Sequence, residues 1–232
     1  MKKLTGFLII AAFLVFPLYA RASIIGTVDL AEYYSTPTGT VTLPGGWTGG
    51  VYLDYDVSLN GGPTVEAFCV ENTPGPGKGP TPYTLLSLDD GLSGFGLTSS
   101  KYLAAAWVAD YYYTVLKATD TDERWKAGAQ IAIWEIIFDD EFDLTNGAFL
   151  ASNSYSDEAI TIWAANPGTF PASSSNWALA VNPTIGPDGT VTVPGYQNYL
   201  VHQSVREPAT MLLLGTSLIA LAGFGRKKLF RK

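Results

Sequence analysis

Apolar and polar side chains alternate along residues 51–59, with Val, Leu, Tyr, Val and Leu at the odd positions. This period of two is typical of a half-buried strand. Asn60-Gly61-Gly62 then predicts a turn into a second strand at 64–71, and the pair is expected to form a hairpin. Pro and Gly residues predict loops across residues 37–46 and 73–82. The same reasoning predicts further strands at 24–34, 83–88, 177–181, 190–193 and 199–202.

The centre of the chain follows a helical pattern instead. An Ala-rich helix is expected over residues 101–116, after the cap residues Thr98-Ser99-Ser100. Two more helices are expected, one from Asp120 to about Phe138 and one from Ser154 to Asn166. Strands followed by helices and again by strands predict an α+β fold, in which a β-sandwich or barrel-like domain carries a helical insert.

Both ends of the chain carry basic residues beside apolar runs. Lys2-Lys3, the apolar stretch 4–18 and Ala20-Arg21-Ala22 have the order of a secretory signal, so we expect a signal peptide at 1–22. Residues 209–225 are 17 residues without a charge, about 25 Å as a helix, and a basic tail at 226–232 follows. A transmembrane helix with its tail in the cytoplasm is predicted.

The C-terminal residues resemble the PEP-CTERM sorting signal of Gram-negative bacteria. Glu207, Pro208, Ala209 and Thr210 match its motif, while Arg206 stands where the family usually has its first Pro. The tail that completes the signal begins with Arg226, Lys227 and Lys228. The resemblance implies a sorting signal at 204–232 with its motif at 205–210. It also implies recognition by the membrane enzyme exosortase, so that the protein is anchored in the inner membrane before processing and then reaches the cell surface or the extracellular matrix.

Composition and charge narrow the function of the remaining body, residues 23–203. All 21 acidic residues lie between 23 and 208, the chain has a net charge of −7, and neither feature suits nucleic-acid binding. One Cys and one His exclude a zinc site of Cys and His ligands and an internal disulfide. These counts do not exclude a haem-thiolate or metal-activated enzyme, but nothing in the sequence supports one, and we expect no metal, no cofactor and no enzymatic activity.

Residues 127–138 form the most unusual segment, because only Gln130 and Glu135 are polar in an otherwise apolar helix. Such a helix is expected to be buried, and a buried carboxamide without partners costs about 1–3 kcal/mol. Cys69 poses a similar problem, as the only thiol of an exported protein in an apolar strand end. Both side chains call for a structural or chemical explanation.

Phe-Cys-Val at 68–70 and Ala-Gln-Ile-Ala-Ile-Trp at 129–134 resemble the thioester domains of bacterial surface adhesins. In those domains a Cys condenses with the Gln of a helix and ammonia is expelled. The resemblance implies a thioester cross-link between Cys69 and Gln130, which a surface nucleophile or an exopolysaccharide could open to leave a covalent attachment. The alternative is an inert buried thiol beside a Gln that bonds to backbone, in a non-reactive structural or binding component of the exopolysaccharide or biofilm matrix.

Four further groups of residues are weaker candidates for a functional role. The acidic stretch 139–143 matches no calcium loop and is expected to be a solvated loop. Glu135 either lies near the Cys69–Gln130 pair, assists the condensation or reaches the surface. Cys69 with His202 could form a nucleophile and base, but the sequence signals no third orienting residue. Trp107, Trp134 and Trp163 are expected in the core rather than at a carbohydrate site.

Overall fold

The computed structural model describes thirteen stretches of the chain. They are residues 24–30, 40–50, 57–59, 62–71, 81–88, 92, 97–166, 168–170, 174, 176–182, 184–185, 191–192 and 197–203. The predicted signal peptide (1–22) and the predicted sorting signal (204–232), with Arg206, Glu207, Pro208 and the basic tail, lie outside these residues. Within the described stretches, no helix is long and apolar enough to cross a membrane.

The fold combines helices with antiparallel sheets, which confirms the predicted α+β class. The main sheet has seven strands in the order β5-β4-β1-β7-β9-β12-β6. Its strands are β1 (Ile24–Leu30), β4 (Val57–Leu59), β5 (Thr64–Val65), β6 (Ala67–Cys69), β7 (Thr81–Ser87), β9 (Trp177–Val181) and β12 (Tyr199–His202). The predicted hairpin is confirmed for β4 and β5, in which Val57 lies opposite Val65. The prediction of one strand over 64–71 is wrong, because β6 lies at the other edge of the sheet from β5.

Two smaller sheets contain strands that the sequence pattern did not predict. One has the order β3-β2-β8, formed by β3 (Trp47–Gly49), β2 (Thr40–Leu43) and β8 (Leu150–Ser152). The loop prediction for 37–46 is therefore wrong for β2, although Gly45 and Gly46 do form the turn after it, at φ +88° and +82°. The other sheet pairs β10 (Thr184–Ile185), which was not predicted, with β11 (Val191–Thr192), which confirms the predicted strand at 190–193.

Among the residues that the structure describes, three α-helices follow β7 in the chain and precede β9. Helix α1 (Ser99–Tyr111) continues into a π-helical turn at Tyr112–Leu116 and a 3-10 turn at Lys117–Thr119. Helix α2 (Arg124–Phe138) comes next, and α3 (Ser156–Ala164) follows β8. Since β7 and β9 are neighbours in the main sheet, the helices form an insertion between two adjacent strands.

Helix α2 is the buried centre of this insertion. Every residue from Lys126 to Ile136 is buried, as the apolar pattern predicted. Asp120 fixes its start, because its carboxylate accepts hydrogen bonds from the amides of Trp125 and Lys126 at 3.2 and 2.9 Å. Trp134 is 1% exposed and belongs to the core as expected, whereas Trp107 and Trp163 are only partly buried.

Helices α2 and α3 pack closely against each other at Gly128. A Cβ at this position would lie 2.5 Å from the Cβ of Glu158 and 3.0 Å from the backbone nitrogen of Ala159. The second contact involves backbone, so a rotamer change alone cannot relieve it. The absence of a side chain at Gly128 therefore sets how closely α3 packs on α2.

We expect Gly128→Ala to lower the free energy of unfolding by about 1–3 kcal/mol, because the overpacking outweighs the gain of up to about 1 kcal/mol in helix propensity. Urea denaturation measures the change. Ile160→Ala, at an exposed position of α3, is the control and should change stability by less than about 0.5 kcal/mol. An alanine variant as stable as the original protein would show that the two helices can separate without loss.

Candidate functional site

Cys69 lies at the last position of β6, which is an edge strand of the main sheet as described. On one side, β6 pairs antiparallel with β12, and Tyr199 is the partner of Cys69. On its other side no strand of the described residues follows. The backbone N–H and C=O of a buried edge residue need partners, because unpaired polar groups away from water are costly.

The side chain of Gln130 supplies both partners. The amide N–H of Cys69 donates to Gln130 Oε1 at 2.9 Å, and Gln130 Nε2 donates to the carbonyl oxygen of Cys69 at 2.8 Å. The carboxamide thus pairs with Cys69 as a residue of a neighbouring strand would. Cys69 is fully buried and Gln130 is 1% exposed, so the two residues that the sequence singled out meet in the interior.

The sulfur of Cys69 has its own set of polar contacts. Sγ donates to the carbonyl oxygen of Glu71 at 2.9 Å, and the Nε2 group of Gln197 contacts Sγ. Burial raises the pKa of the thiol to about 12; the Gln197 amide that donates to the sulfur opposes this rise, and the charge of Glu71 adds to it. The protonated thiol is therefore the resting form at neutral pH.

Glu71 is a site residue that the sequence analysis missed. The side-chain amide of Asn198 donates to Oε1 of Glu71, whereas Oε2 of Glu71 has no hydrogen-bond partner among the described residues. Burial raises the pKa of the Glu71 carboxyl to about 7, against hydrogen bonds from the backbone and side chain of Asn198. The only sequence signal was its position two residues after Cys69. A carboxyl that titrates near neutrality can accept and return a proton.

An ion pair holds α2 against the same strand region. Lys126, one helical turn before Gln130, pairs with Glu66, three residues before Cys69, and Lys117 pairs with the same carboxylate. Burial raises the pKa of Glu66, but the two ammonium groups outweigh it and the net shift is downward. The Glu66–Lys126 and Cys69–Gln130 contacts therefore connect one strand to one helix at two successive turns.

The structure does not bring His202 to the thiol. His202 lies beyond Val201, the partner of Ala67, and its backbone N–H donates to the carbonyl oxygen of Glu66. Side chains alternate along a strand, so His202 and the partner of Cys69, Tyr199, point to opposite faces. The imidazole stacks on Tyr113, with ring centroids 4.1 Å apart. This arrangement provides no Cys–His pair of the kind a cysteine hydrolase requires.

Glu135 also lies away from the thiol. It follows Gln130 by five residues, which places it about 140° around the helix. Its Oε1 accepts the amide N–H of Asp143 at 2.7 Å. The structure therefore does not support a contact between Glu135 and Cys69. It does not support an exposed position either, since Glu135 is 1% exposed.

The acidic stretch 139–143 is more ordered than a solvated loop. Asp139 accepts hydrogen bonds from the amides of Ala148 and Phe149, both at 2.8 Å, and Asp143 accepts from Thr145. The prediction of a loop is confirmed, but its carboxylates serve the turn. In the part of the chain that the structure describes, no group of three or more His, Cys, Asp or Glu side chains is arranged to hold a metal ion.

Comparisons with protein families, curated proteins and solved structures find no match to this chain. The site itself combines the buried thiol of Cys69, the Gln130 carboxamide that is hydrogen-bonded to the backbone of Cys69, and the carboxyl of Glu71.

The raised pKa of Glu71 makes a prediction about stability. A carboxyl whose pKa is 4.5 in the unfolded chain and about 7 in the fold keeps its proton longer when folded, so its contribution declines as pH rises through this window. Glu71→Gln cannot titrate. We expect the stability of the variant, relative to the original protein, to increase by about 1–3 kcal/mol between pH 4.5 and 8.

Urea denaturation at a series of pH values checks this expectation. Glu141→Gln, at an exposed position of the acidic loop, should track the original protein across the range. A stability difference for Glu71→Gln that does not vary with pH would contradict the assignment of a proton-holding carboxyl to this position.

Proposed function

We propose that the chain is an exported cell-surface or extracellular-matrix protein that attaches covalently through an internal thioester between Cys69 and Gln130. One observation carries the proposal: the Gln130 carboxamide is held by two hydrogen bonds on the backbone of the residue that bears the thiol. Fixing two reacting groups side by side removes most of the entropic barrier to their reaction. The resemblance of both motifs to adhesin thioester domains supports the same pair.

The condensation needs one new bond and one leaving group. Sγ of Cys69 attacks Cδ of Gln130, the C–S bond forms, and the Cδ–Nε2 bond breaks. The thiol proton transfers to the departing nitrogen, which leaves as ammonia. Glu71 is suited to carry this proton, because its backbone carbonyl oxygen accepts a hydrogen bond from the thiol and its side-chain carboxyl titrates near neutrality.

The thioester would be a masked electrophile. A primary amine or a hydroxyl of a surface or matrix polymer attacks the same Cδ atom, an amide or ester forms, and the Cys69 thiol is restored. No cofactor or metal takes part. Because the bond turns over once, this is attachment rather than enzymatic catalysis.

Export and sorting belong to the same proposal. The predicted signal peptide at 1–22 and the PEP-CTERM-like segment at 204–232 support passage across the inner membrane and processing by exosortase. A β-sandwich or barrel-like body with a helical insert is part of the proposal as well. Its support is the placement of α1, α2 and α3 between the neighbouring strands β7 and β9.

A second function has one specific observation in its favour. The two hydrogen bonds of Gln130 satisfy the outer edge of β6 without any reaction, and burial keeps the Cys69 thiol protonated. In this alternative the protein is a non-reactive structural or binding component of the exopolysaccharide or biofilm matrix.

Methylamine distinguishes the two functions. We expect the mature ectodomain (residues 23–203) to incorporate one methylamine at Gln130 and to expose one titratable thiol at Cys69, because the amine opens the thioester. Peptide mass spectrometry locates the modification. Gln197 is the matched control, since its carboxamide also contacts the sulfur but lies outside the motif. Cys69→Ala should abolish incorporation, whereas Gln197→Ala should retain it.

The outcomes separate cleanly. No incorporation into a folded ectodomain that has a free thiol from the start would favour the non-reactive alternative. Incorporation at Gln197 would contradict the assignment of the acyl partner to Gln130.

The sorting segment makes its own prediction. In cells that process PEP-CTERM substrates, we expect that an antibody against residues 223–232 does not detect the processed ectodomain. Cleavage near Pro208 separates the ectodomain from the C-terminal tail that carries the epitope. Arg206→Pro restores the motif's usual first residue and should be processed at least as efficiently. Full-length protein that keeps its tail in the inner membrane, for both proteins, would contradict exosortase sorting.

A further inference from the structure

A pocket of about 290 Å³ lies on the side of α2 that faces away from Cys69. Residues of α1, α2, α3 and the acidic loop line it, and those that matter below are Lys101, Glu135, Asp140, Phe142, Trp163 and Phe170. The volume is close to the lower limit for small-molecule sites, which suits a ligand of one ring.

Glu135 is one of the polar residues that line this pocket. Its side chain is 1% exposed, and while Oε1 accepts the Asp143 amide, Oε2 has no hydrogen-bond partner among the described residues. A buried carboxylate oxygen without a donor is unfavourable. A ligand that brings a donor to Oε2 would remove this penalty.

No described basic side chain fills that role. Lys101 lines the pocket, but its Nζ donates to the carbonyl oxygens of Ile137 and Asp139 at 3.3 and 3.1 Å and pairs with Asp140 at 3.0 Å. Burial raises the pKa of Glu135 to about 7, opposed by the Asp143 amide and assisted by the charges of Asp139 and Asp143. The pocket is therefore acidic and lacks a cation of its own for Glu135.

Three aromatic residues also line the pocket. Phe142 and Trp163 stack with centroids 4.8 Å apart at 6°, and Phe170 lies 5.8 Å from Trp163. All three are only partly buried, which corrects the expectation that Trp163 is a core residue. Aromatic rings attract cations and pack against the apolar faces of cyclic ligands.

We propose that this pocket binds a hexosamine with a free amino group, whose ammonium donates to Glu135 Oε2 while its ring packs against Trp163. The acidic lining favours a cation, and a wall of flat rings favours a sugar ring over a thin alkyl chain. This binding is reversible and independent of the thioester, although it would give the proposed matrix protein a polysaccharide to recognise.

Calorimetric titration of the mature ectodomain with glucosamine, N-acetylglucosamine and glucose tests the proposal. A charged hydrogen bond predicts that glucosamine binds about ten- to a hundredfold more tightly than either neutral sugar. Glu135→Gln keeps an oxygen for the Asp143 amide and should remove that preference, and Trp163→Ala should weaken binding of glucosamine.

Two controls connect the result to the pocket. Asp122→Asn alters an exposed charge just before α2, outside the residues that line the pocket, and should change affinity by less than about threefold. Cys69→Ala should bind as the original protein does, so failure of the thioester proposal leaves this one testable. Equal binding of glucosamine and glucose, no binding of glucosamine, or an unchanged preference in Glu135→Gln would each overturn the proposal.

Discussion

The outer edge of β6 is the constraint on which the rest of the site depends. A strand that ends a sheet and is nevertheless buried must find partners for its backbone, and here one carboxamide supplies two. This requirement explains why a polar Gln is retained within the buried helix α2. It also explains why the helix is fixed so firmly, through the Glu66–Lys126 pair on one side and the close approach at Gly128 on the other.

The contact between Gln130 and Cys69 is compatible both with a purely structural role and with the formation of a thioester. Two hydrogen bonds hold the Gln130 carboxamide, but they also fix its carbonyl carbon beside the residue that carries the nucleophile. Burial and the charge of Glu71 both oppose ionisation of the Cys69 thiol, so the proposed condensation requires the Glu71 carboxyl, which titrates near neutrality, to take up the thiol proton. Loss of ammonia would remove the Nε2 donor to the Cys69 carbonyl, so a thioester exchanges one hydrogen bond for a covalent bond.

Sequence patterns predicted the parts of the fold that are local. The burial of α2, the 57–65 hairpin and the strand at Trp177–Val181 follow from periodicity, and pairing Cys69 with Gln130 followed from their type and a motif resemblance. Strands β2 and β8 were not predicted, because they pair with each other across more than a hundred residues and because Pro and Gly residues surround β2. Glu71, Asn198 and Gln197 escaped for the same reason, since the sheet register alone brings residues 197–199 to the thiol.

The central claim is that Cys69 and Gln130 are covalently joined in the mature protein. The intact mass of the exported ectodomain, measured under non-reducing conditions, tests it directly. A thioester predicts a mass about 17 Da below that of the unmodified sequence, because one ammonia is lost, and no such deficit in Cys69→Ala. A full mass, together with a thiol that titrates on unfolding without any amine, would contradict it.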